Sequence, residues 1–251
     1  MSKILGIIPA RLGSTRLPEK MLADIHGKPL IYYTWRQATK ATLLDELIIA
    51  TDSEQIAEAV HNFGGKTIMT SSDLQSGTDR VAEAAEKFSA SVPQGSASVP
   101  DIILNIQGDE PVLSPSAIDA AVKALTDDSK AVMATVATPF REGEDINYPG
   151  SAKVALDKDN YALYFSRFAI PYARNSFHNY LKQVAVYSFR REFLQTYAKL
   201  PQRPLEQAES LEHLRALEHG YRIKVAIGDF DSVSVDFPED LEKVRKILTN
   251  N

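Results

Sequence analysis

Ile4-Leu5-Gly6-Ile7-Ile8-Pro9-Ala10-Arg11-Leu12-Gly13-Ser14-Thr15-Arg16-Leu17-Pro18-Glu19-Lys20 is the stretch from which the rest of the chain is read. Ile4–Ile8 is a short apolar run of strand type that passes directly into a loop of cations and small residues. Open α/β sheets carry their ligand loops at the carboxyl ends of strands. The same rhythm recurs downstream. Strands are predicted at Leu47–Thr51, Thr67–Met69, Ile102–Ile106 and Val132–Ala137, with helices at Leu30–Lys40, Glu54–Phe63, Asp79–Phe88 and Ser116–Leu125. Ile56, Val60 and Phe63 show the i, i+4, i+7 spacing of one buried helix face. Strands alternating with helices of this length imply crossover units and a mostly parallel sheet.

From about Ala152 the rhythm changes. Ala152–Leu156 and Ala162–Ser166 read as strands paired around Asp157-Lys158-Asp159-Asn160. Val184–Phe189 and Ile223–Ile227 are further strands, with helices at Glu192–Ala198, Leu205–Glu218 and Pro238–Leu248. The expected architecture is one α/β domain over residues 1–251, an open and mostly parallel nucleotide-binding sheet. A late antiparallel subregion at about 150–225 would serve substrate binding or dimerisation. The five residues Ser89-Ala90-Ser91-Val92-Pro93 recur as Ser96-Ala97-Ser98-Val99-Pro100, a composition expected of a surface loop.

Composition excludes several classes. Lys and Arg total 28 against 33 Asp and Glu, so the net charge of −5 disfavours nucleic-acid and anionic-membrane surfaces. With no cysteine there is no disulfide, thiolate nucleophile or iron–sulfur cluster. At this length roughly 70–75% of the unfolded chain's surface can be buried, so neither cross-links nor a structural metal are required. The apolar stretch Ile4–Ala10 is too short for a signal peptide, and no run approaches a membrane span. A soluble, cytoplasmic protein is expected. Sequence signatures of P-loop NTPases, dinucleotide-binding folds, serine hydrolases and HExxH metalloenzymes are all absent.

Three polar segments carry candidate chemistry. Residues 1–30 have a local charge of +3, and Arg11, Arg16 and Lys20 with the backbone around Gly13-Ser14 suit a polyphosphate. On charge alone any polyanion would fit. Asp109, in Gln107-Gly108-Asp109-Glu110-Pro111, follows the strand Ile102–Ile106 and is a natural ligand for a hard cation on a nucleotide. A plain turn aspartate is the commoner explanation of such a residue. Its partner would be Asp236, for which an ordinary helix cap is the competing reading. Gln75-Ser76-Gly77-Thr78-Asp79-Arg80 either reads part of a nucleotide or simply caps the following helix.

Taken in order, these segments resemble the CMP-Kdo synthetases, the 3-deoxy-manno-octulosonate (Kdo) cytidylyltransferases. The resemblance runs from Ile7 to Arg245. It rests on the Pro9–Lys20 loop, Gly27-Lys28-Pro29, Ala50-Thr51-Asp52, Gln75–Thr78, Gln107–Pro111, Tyr161–Arg167, Ile170-Pro171 and Val235–Arg245. It implies a nucleotide-diphospho-sugar-transferase-like fold and transfer of CMP from CTP to an acidic octulosonate, releasing pyrophosphate and giving a CMP-sugar for lipopolysaccharide synthesis. Carried over, Arg11, Ser14 and Lys20 would hold the triphosphate, with Gln75, Ser76 and Arg80 on the nucleotide. Asp109 and Asp236 would bind Mg²⁺, and Lys20 would act with them in catalysis. Gln107, Arg167, Gln183, Tyr187, Glu212 and His213 would line the sugar site, and the enzyme would be a homodimer.

Five positions depart from the family pattern. Leu74 and Asp79 replace the His and Glu that flank the loop's Gln-Ser-Gly-Thr. Gln183 stands where a His is usual, four residues before Tyr187. The usual Glu-Gln pair is Glu212-His213, and Tyr172 replaces a Trp. Because Gln183 and His213 fall at the sugar, a substituted acceptor such as 8-amino-8-deoxy-Kdo is a live expectation beside Kdo itself. Competing readings are a cytidylyltransferase for another acidic sugar, such as a sialic acid, and a non-catalytic nucleotide-binding module.

Overall fold

A central strand, β1 (Ile4–Ala10), is buried along its whole length and organises a sheet on both of its sides. The computed structural model describes residues 2–14, 16–93, 99–230 and 232–249. After β1 come a 3₁₀ turn at Lys20–Leu22 and a small hairpin, β2 (Asp24–Ile25) and β3 (Lys28–Pro29), closed by His26 and Gly27. Both closing residues have positive φ, 50° and 79°, the backbone of a type I′ turn. Then follow α1 (Leu30–Ala38), β4 (Glu46–Thr51), α2 (Glu54–Asn62), β5 (Thr67–Met69), α3 (Gly77–Ser91), β6 (Ile102–Ile106), α4 (Pro115–Thr126) and β7 (Met133–Pro139). The late region holds β8 (Lys153–Leu156), β9 (Ala162–Ser166), β10 (Leu181–Arg190), α5 (Arg191–Tyr197), α6 (Pro204–Glu209), α7 (Leu214–Glu218), β11 (Ile223–Ile227) and α8 (Pro238–Thr249).

The strand order is β11-β7-β10-β6-β1-β4-β5, with β8 and β9 attached beside β10. Every pairing along that path is parallel except the two made by β10. The chain leaves β1 for β4 and β5 on one side, then returns to β6 on the other. The gap between the carboxyl ends of β1 and β6 is therefore a topological switch point, where open α/β sheets bind ligands. Side chains alternate across the sheet. Ile4 and Ile8 pack toward α1 and α4, and Leu5 and Ile7 toward α3 and α5. No helix among the described residues is long and apolar enough to cross a membrane.

Two expectations need correction. The segment Leu205–Glu218 is two helices, not one, because Ser210 takes the left-handed conformation at φ 51° and ends α6. The two pieces are stapled by a buried bidentate pair, Arg215 to Glu206 at 2.8 and 2.6 Å. Glu218 on α7 also accepts the first N–H groups of α6, from Leu205 and Glu206. Secondly, α3 continues through the expected loop start at Ser89 to Ser91. The Ser89 and Ser91 hydroxyls bond back to the carbonyls of Ala85 and Phe88, which lets serine stay in a helix. Residues 94–98 of the repeated segment lie outside the described residues.

Where β10 meets β7, the register shifts between Val184 and Tyr187, leaving a bulge that the Thr135 hydroxyl pins by donating to Val186 O at 2.8 Å. Bulges re-aim side chains beside functional sites, and this one directly precedes Tyr187. Replacing Glu206 by Gln leaves Arg215 buried and unpaired. It is expected to remove about 3–5 kcal/mol of stability in urea unfolding; a loss near the 0–1 kcal/mol of a surface pair would refute the stapling role.

Candidate active site

A cleft of about 430 Å³ opens at the switch point. Gly108 is the residue that lets its two walls meet: a Cβ there would lie 2.9 Å from Pro9 O and 3.1 Å from Met21 Sδ. With the β1 and β6 loops so close, Lys20 and Asp109 are brought together. Lys20 is buried, and its Nζ lies 2.6 Å from Asp109 Oδ2 and 3.4 Å from Asp236 Oδ1. Arg16 Nη2 approaches the same Asp236 oxygen at 2.9 Å. Val235 N–H donates to Asp109 O at 2.9 Å, tying the two carboxylate-bearing loops through the backbone. Asp236 does not cap α8. That role falls to Asp240, whose Oδ2 accepts the Asp236 and Phe237 N–H groups at 3.0 and 2.9 Å.

Arg11, Ser14 and Arg16 line the same end of the cleft, as do Gln75 and Ser76. The Ser76 hydroxyl is committed to its helix, accepting from Asp79 N while Asp79 returns to Ser76 N, a capping box. Gln75 Nε2 donates to Asp73 O at 2.8 Å. Arg80 reaches the cleft wall, but its guanidinium is held by Asp52 at 2.8 Å and by the Thr70 hydroxyl. In this arrangement Arg80 braces the loop before α3 and offers no open fork to a ligand.

The far end of the cleft is a buried polar chain. Gln107 Nε2 donates to Asn105 Oδ1 at 3.3 Å, Asn105 Nδ2 to Thr78 Oγ1 at 3.1 Å, and Thr78 Oγ1 to Glu212 Oε2 at 2.5 Å. Burial raises the Glu212 carboxyl above its usual range. Beside it, Tyr187 Oη and His213 Nδ1 are 3.2 Å apart, and the imidazole stands edge-on to Phe165 at 4.1 Å. Burial, with the Arg167 charge adding, pushes His213 down to about 3, so it is neutral. Its Nε2 is buried and has no hydrogen-bond partner among the described residues.

Two expected sugar residues do not reach the cleft wall. Arg167 turns its guanidinium onto three carbonyls, Glu209 O at 2.7 Å, Pro149 O at 2.8 Å and Ser210 O at 3.3 Å. It thus braces the turn that carries Glu212 and His213. The buried Lys153 ammonium supports it, gripping Arg167 O at 2.6 Å with Tyr148 O and Ser151 O. Gln183 spends Nε2 on Thr135 Oγ1 and Val184 O.

Three residues in or directly behind the cleft wall were assigned no role by sequence reading. Thr78 and Asn105 belong to the polar chain, and Asn105, a polar side chain inside an apolar strand, was a legible signal. Glu110 is the third. Burial, with Asp109 adding, pushes its carboxyl up to about 8, and Ser232 Oγ donates to it. It therefore adds no full negative charge beside Asp109 and Asp236 at neutral pH. Among the described residues no group of three or more His, Cys, Asp or Glu is arranged to hold a metal. Two carboxylates converging on one cation nevertheless fit a hard divalent ion that takes its remaining ligands from phosphate.

Comparison with known proteins settles the family. A family model described as cytidylyltransferase matches residues 5–224. A 3-deoxy-manno-octulosonate cytidylyltransferase of Geotalea uraniireducens is 44% identical over 98% of this chain and 99% of its own, and that of Syntrophobacter fumaroxidans is 46% identical over 99% and 98%. The chain belongs to the 3-deoxy-manno-octulosonate cytidylyltransferase family. A solved CMP:2-keto-3-deoxy-manno-octonic acid synthetase, complexed with CTP, superposes with a TM-score of 0.89 at 40% identity, covering 99% of each chain. A 4-diphosphocytidyl-2C-methyl-D-erythritol synthase from Anaerococcus prevotii, at 15% identity and TM-score 0.60, shares the fold. The chain is accordingly an enzyme, a cytidylyltransferase, and its sheet is that of the nucleotide-diphospho-sugar transferases.

The buried imidazole gives this cytidylyltransferase a specific pH signature. Unfolded, His213 takes up a proton below about 6.5; folded, it stays neutral down to about 3. Its stabilisation is complete above pH 6.5 and is lost as pH falls toward 3. His213→Gln removes that loss. The stability difference between wild type and variant should therefore change, in the variant's favour, by up to about 1.4 kcal/mol per pH unit below 6.5, read from urea unfolding at pH 7, 5.5 and 4.5. A constant difference would show that the folded imidazole is protonated.

Proposed function

We propose that the cleft binds CTP with Mg²⁺ and transfers its cytidylyl group to the anomeric hydroxyl of a Kdo-type sugar, releasing pyrophosphate. The observation that carries this reading is the Lys20 ammonium bracketed by Asp109 and Asp236 at the switch point, with Arg11, Ser14 and Arg16 on the same wall. The cations take the triphosphate, and Arg11 and Lys20 stabilise the departing pyrophosphate. Asp109 and Asp236 would hold the divalent ion, whose chemistry is to neutralise phosphate charge and lower the pKa of the attacking hydroxyl. Gln107, Glu212 and Tyr187 orient the sugar for in-line attack, and the Thr78–Asn105 chain fixes Gln107 and Glu212. Catalysis is then positioning and charge neutralisation, with no covalent intermediate. Arg167 and Gln183 support the sugar site from behind its wall.

The relatives' printed names support Kdo as the acceptor class. We further read the chain as a homodimer through its late region, where Leu163, Phe168 and Tyr172 are largely exposed.

Pyrophosphate release from CTP and Kdo should require a divalent metal. Asp109→Asn and Asp236→Asn should each lower it by about 10²-fold or more while the circular dichroism is unchanged. Wild-type turnover in either variant, or metal-independent release, would overturn the reading.

The pocket departures favour a second acceptor, the 8-amino sugar. Gln183 spends its amide on Thr135 Oγ1 and Val184 O and hydrogen-bonds Tyr187, so from behind the wall it would act on the acceptor through Tyr187, while the His213 edge lies in the wall itself. A mismatched buried polar group disfavours binding by about 1–3 kcal/mol, so wild type should prefer the amino sugar tenfold or more, and Gln183→His with His213→Gln should abolish the preference. Equal turnover of both sugars by wild type and variant would remove its basis.

A further inference from the structure

Resting on the reading of Asp109 and Asp236 as the metal ligands, we infer that Lys20 is a cationic place-holder that keeps the metal site closed until nucleotide arrives. Its Nζ lies between the two carboxylates that would hold the divalent ion, 2.6 Å from one and 3.4 Å from the other. The side chain is buried, so the ammonium is held by these carboxylates and not by bulk water. Arg16 brings a second cation to the same Asp236 oxygen at 2.9 Å. Two acidic charges are thereby matched by two basic ones, and a divalent ion entering the bare site would be repelled by both. The protein also lacks the ligands to compensate, since no third acidic, His or Cys side chain among the described residues joins the group.

A triphosphate changes this balance. Its several negative charges give Lys20 and Arg16 stronger partners than one carboxylate each, and its oxygens supply the missing metal ligands. When the cations move to phosphate, Asp109 and Asp236 are left uncompensated beside a polyanion, and a divalent ion is drawn in. Nucleotide and metal then strengthen one another's binding, equally in both directions. Had Lys20 served only as a phosphate contact, its removal would weaken CTP and leave the metal affinity of the bare protein alone.

The test is Mn²⁺ binding to the nucleotide-free protein, read from loss of the free-ion EPR signal. Wild type should bind weakly, Lys20→Met at least tenfold more tightly, and Lys20→Arg as weakly as wild type. Lys20→Gln is measured alongside, with circular dichroism on each, so that misfolding of one variant does not decide the result. Adding Asp109→Asn to Lys20→Met should return the affinity to the wild-type value. Unchanged or weaker binding in both neutral variants, or tight binding by wild type, overturns the place-holder while leaving the metal ligands standing. Tightened binding that survives Asp109→Asn overturns the assignment of the carboxylates as well.

Discussion

Asp109 and Asp236 come from opposite halves of the chain, and their close approach to one ammonium is the constraint on which the site depends. Two carboxylates converging in a partly buried cleft repel each other, so their close approach calls for a cation between them. Lys20 supplies it from the first loop. The arrangement needs β1 and β6 adjacent, which the parallel pairing gives. It needs Gly108 for the close approach to Pro9, and the Val235–Asp109 hydrogen bond to bring in the last loop. The same requirement explains Glu110. A third ionised carboxyl next to this pair would lack a counter-charge; burial, with the Asp109 charge adding, keeps it protonated to about pH 8 although the Ser232 hydrogen bond pulls the other way.

Charge neutralisation organises one end of the cleft, and hydrogen-bond accounting organises the other. The chain from Gln107 through Asn105 and Thr78 to Glu212 runs through the sheet's interior, where an unmade hydrogen bond is costly. Satisfied as it is, the chain fixes Gln107 and Glu212 in the cleft wall. His213 is the exception. One nitrogen is matched by Tyr187 while the other has no described partner, a state that a ligand's polar group would relieve.

What the sequence revealed follows from how local each signal is. The strands after which ligand loops emerge were legible because each is a short apolar run ending in polar residues, and Asp109 stood out for that reason. The break between α6 and α7 was not, because Leu205–Glu218 contains no Gly or Pro and the stop is a serine in left-handed geometry. The hairpin at Asp24–Pro29 has two-residue strands, too short for any periodicity. Arg80 and Arg167 were legible as cations, but a cation's role is set by its partners. Those partners, Asp52 for one and the Glu209–Ser210 carbonyls for the other, are distant in sequence. The segment Asp236-Phe237-Pro238-Glu239-Asp240 offers two acidic candidates for one helix terminus, and only three dimensions assign the cap to Asp240.

One short bond links two separate elements of the cleft wall, from Thr78 on the first turn of α3 to Glu212 on the turn before α7. The first turn of α3 and the turn at residues 210–213 both line the cleft. Arg167 and Lys153 anchor that turn to the 148–151 segment, and the Glu206–Arg215 pair anchors it to the helices behind. A displacement of either turn therefore reaches the other through a buried polar contact that cannot be exchanged for water without penalty. Positioning two substrates for in-line transfer demands this rigidity. The Lys20–Asp109–Asp236 cluster hangs on the β1, β6 and last loops, whereas a late, separately braced turn carries Glu212 and His213, so residues of that turn can change while the carboxylate–lysine cluster stays as it is.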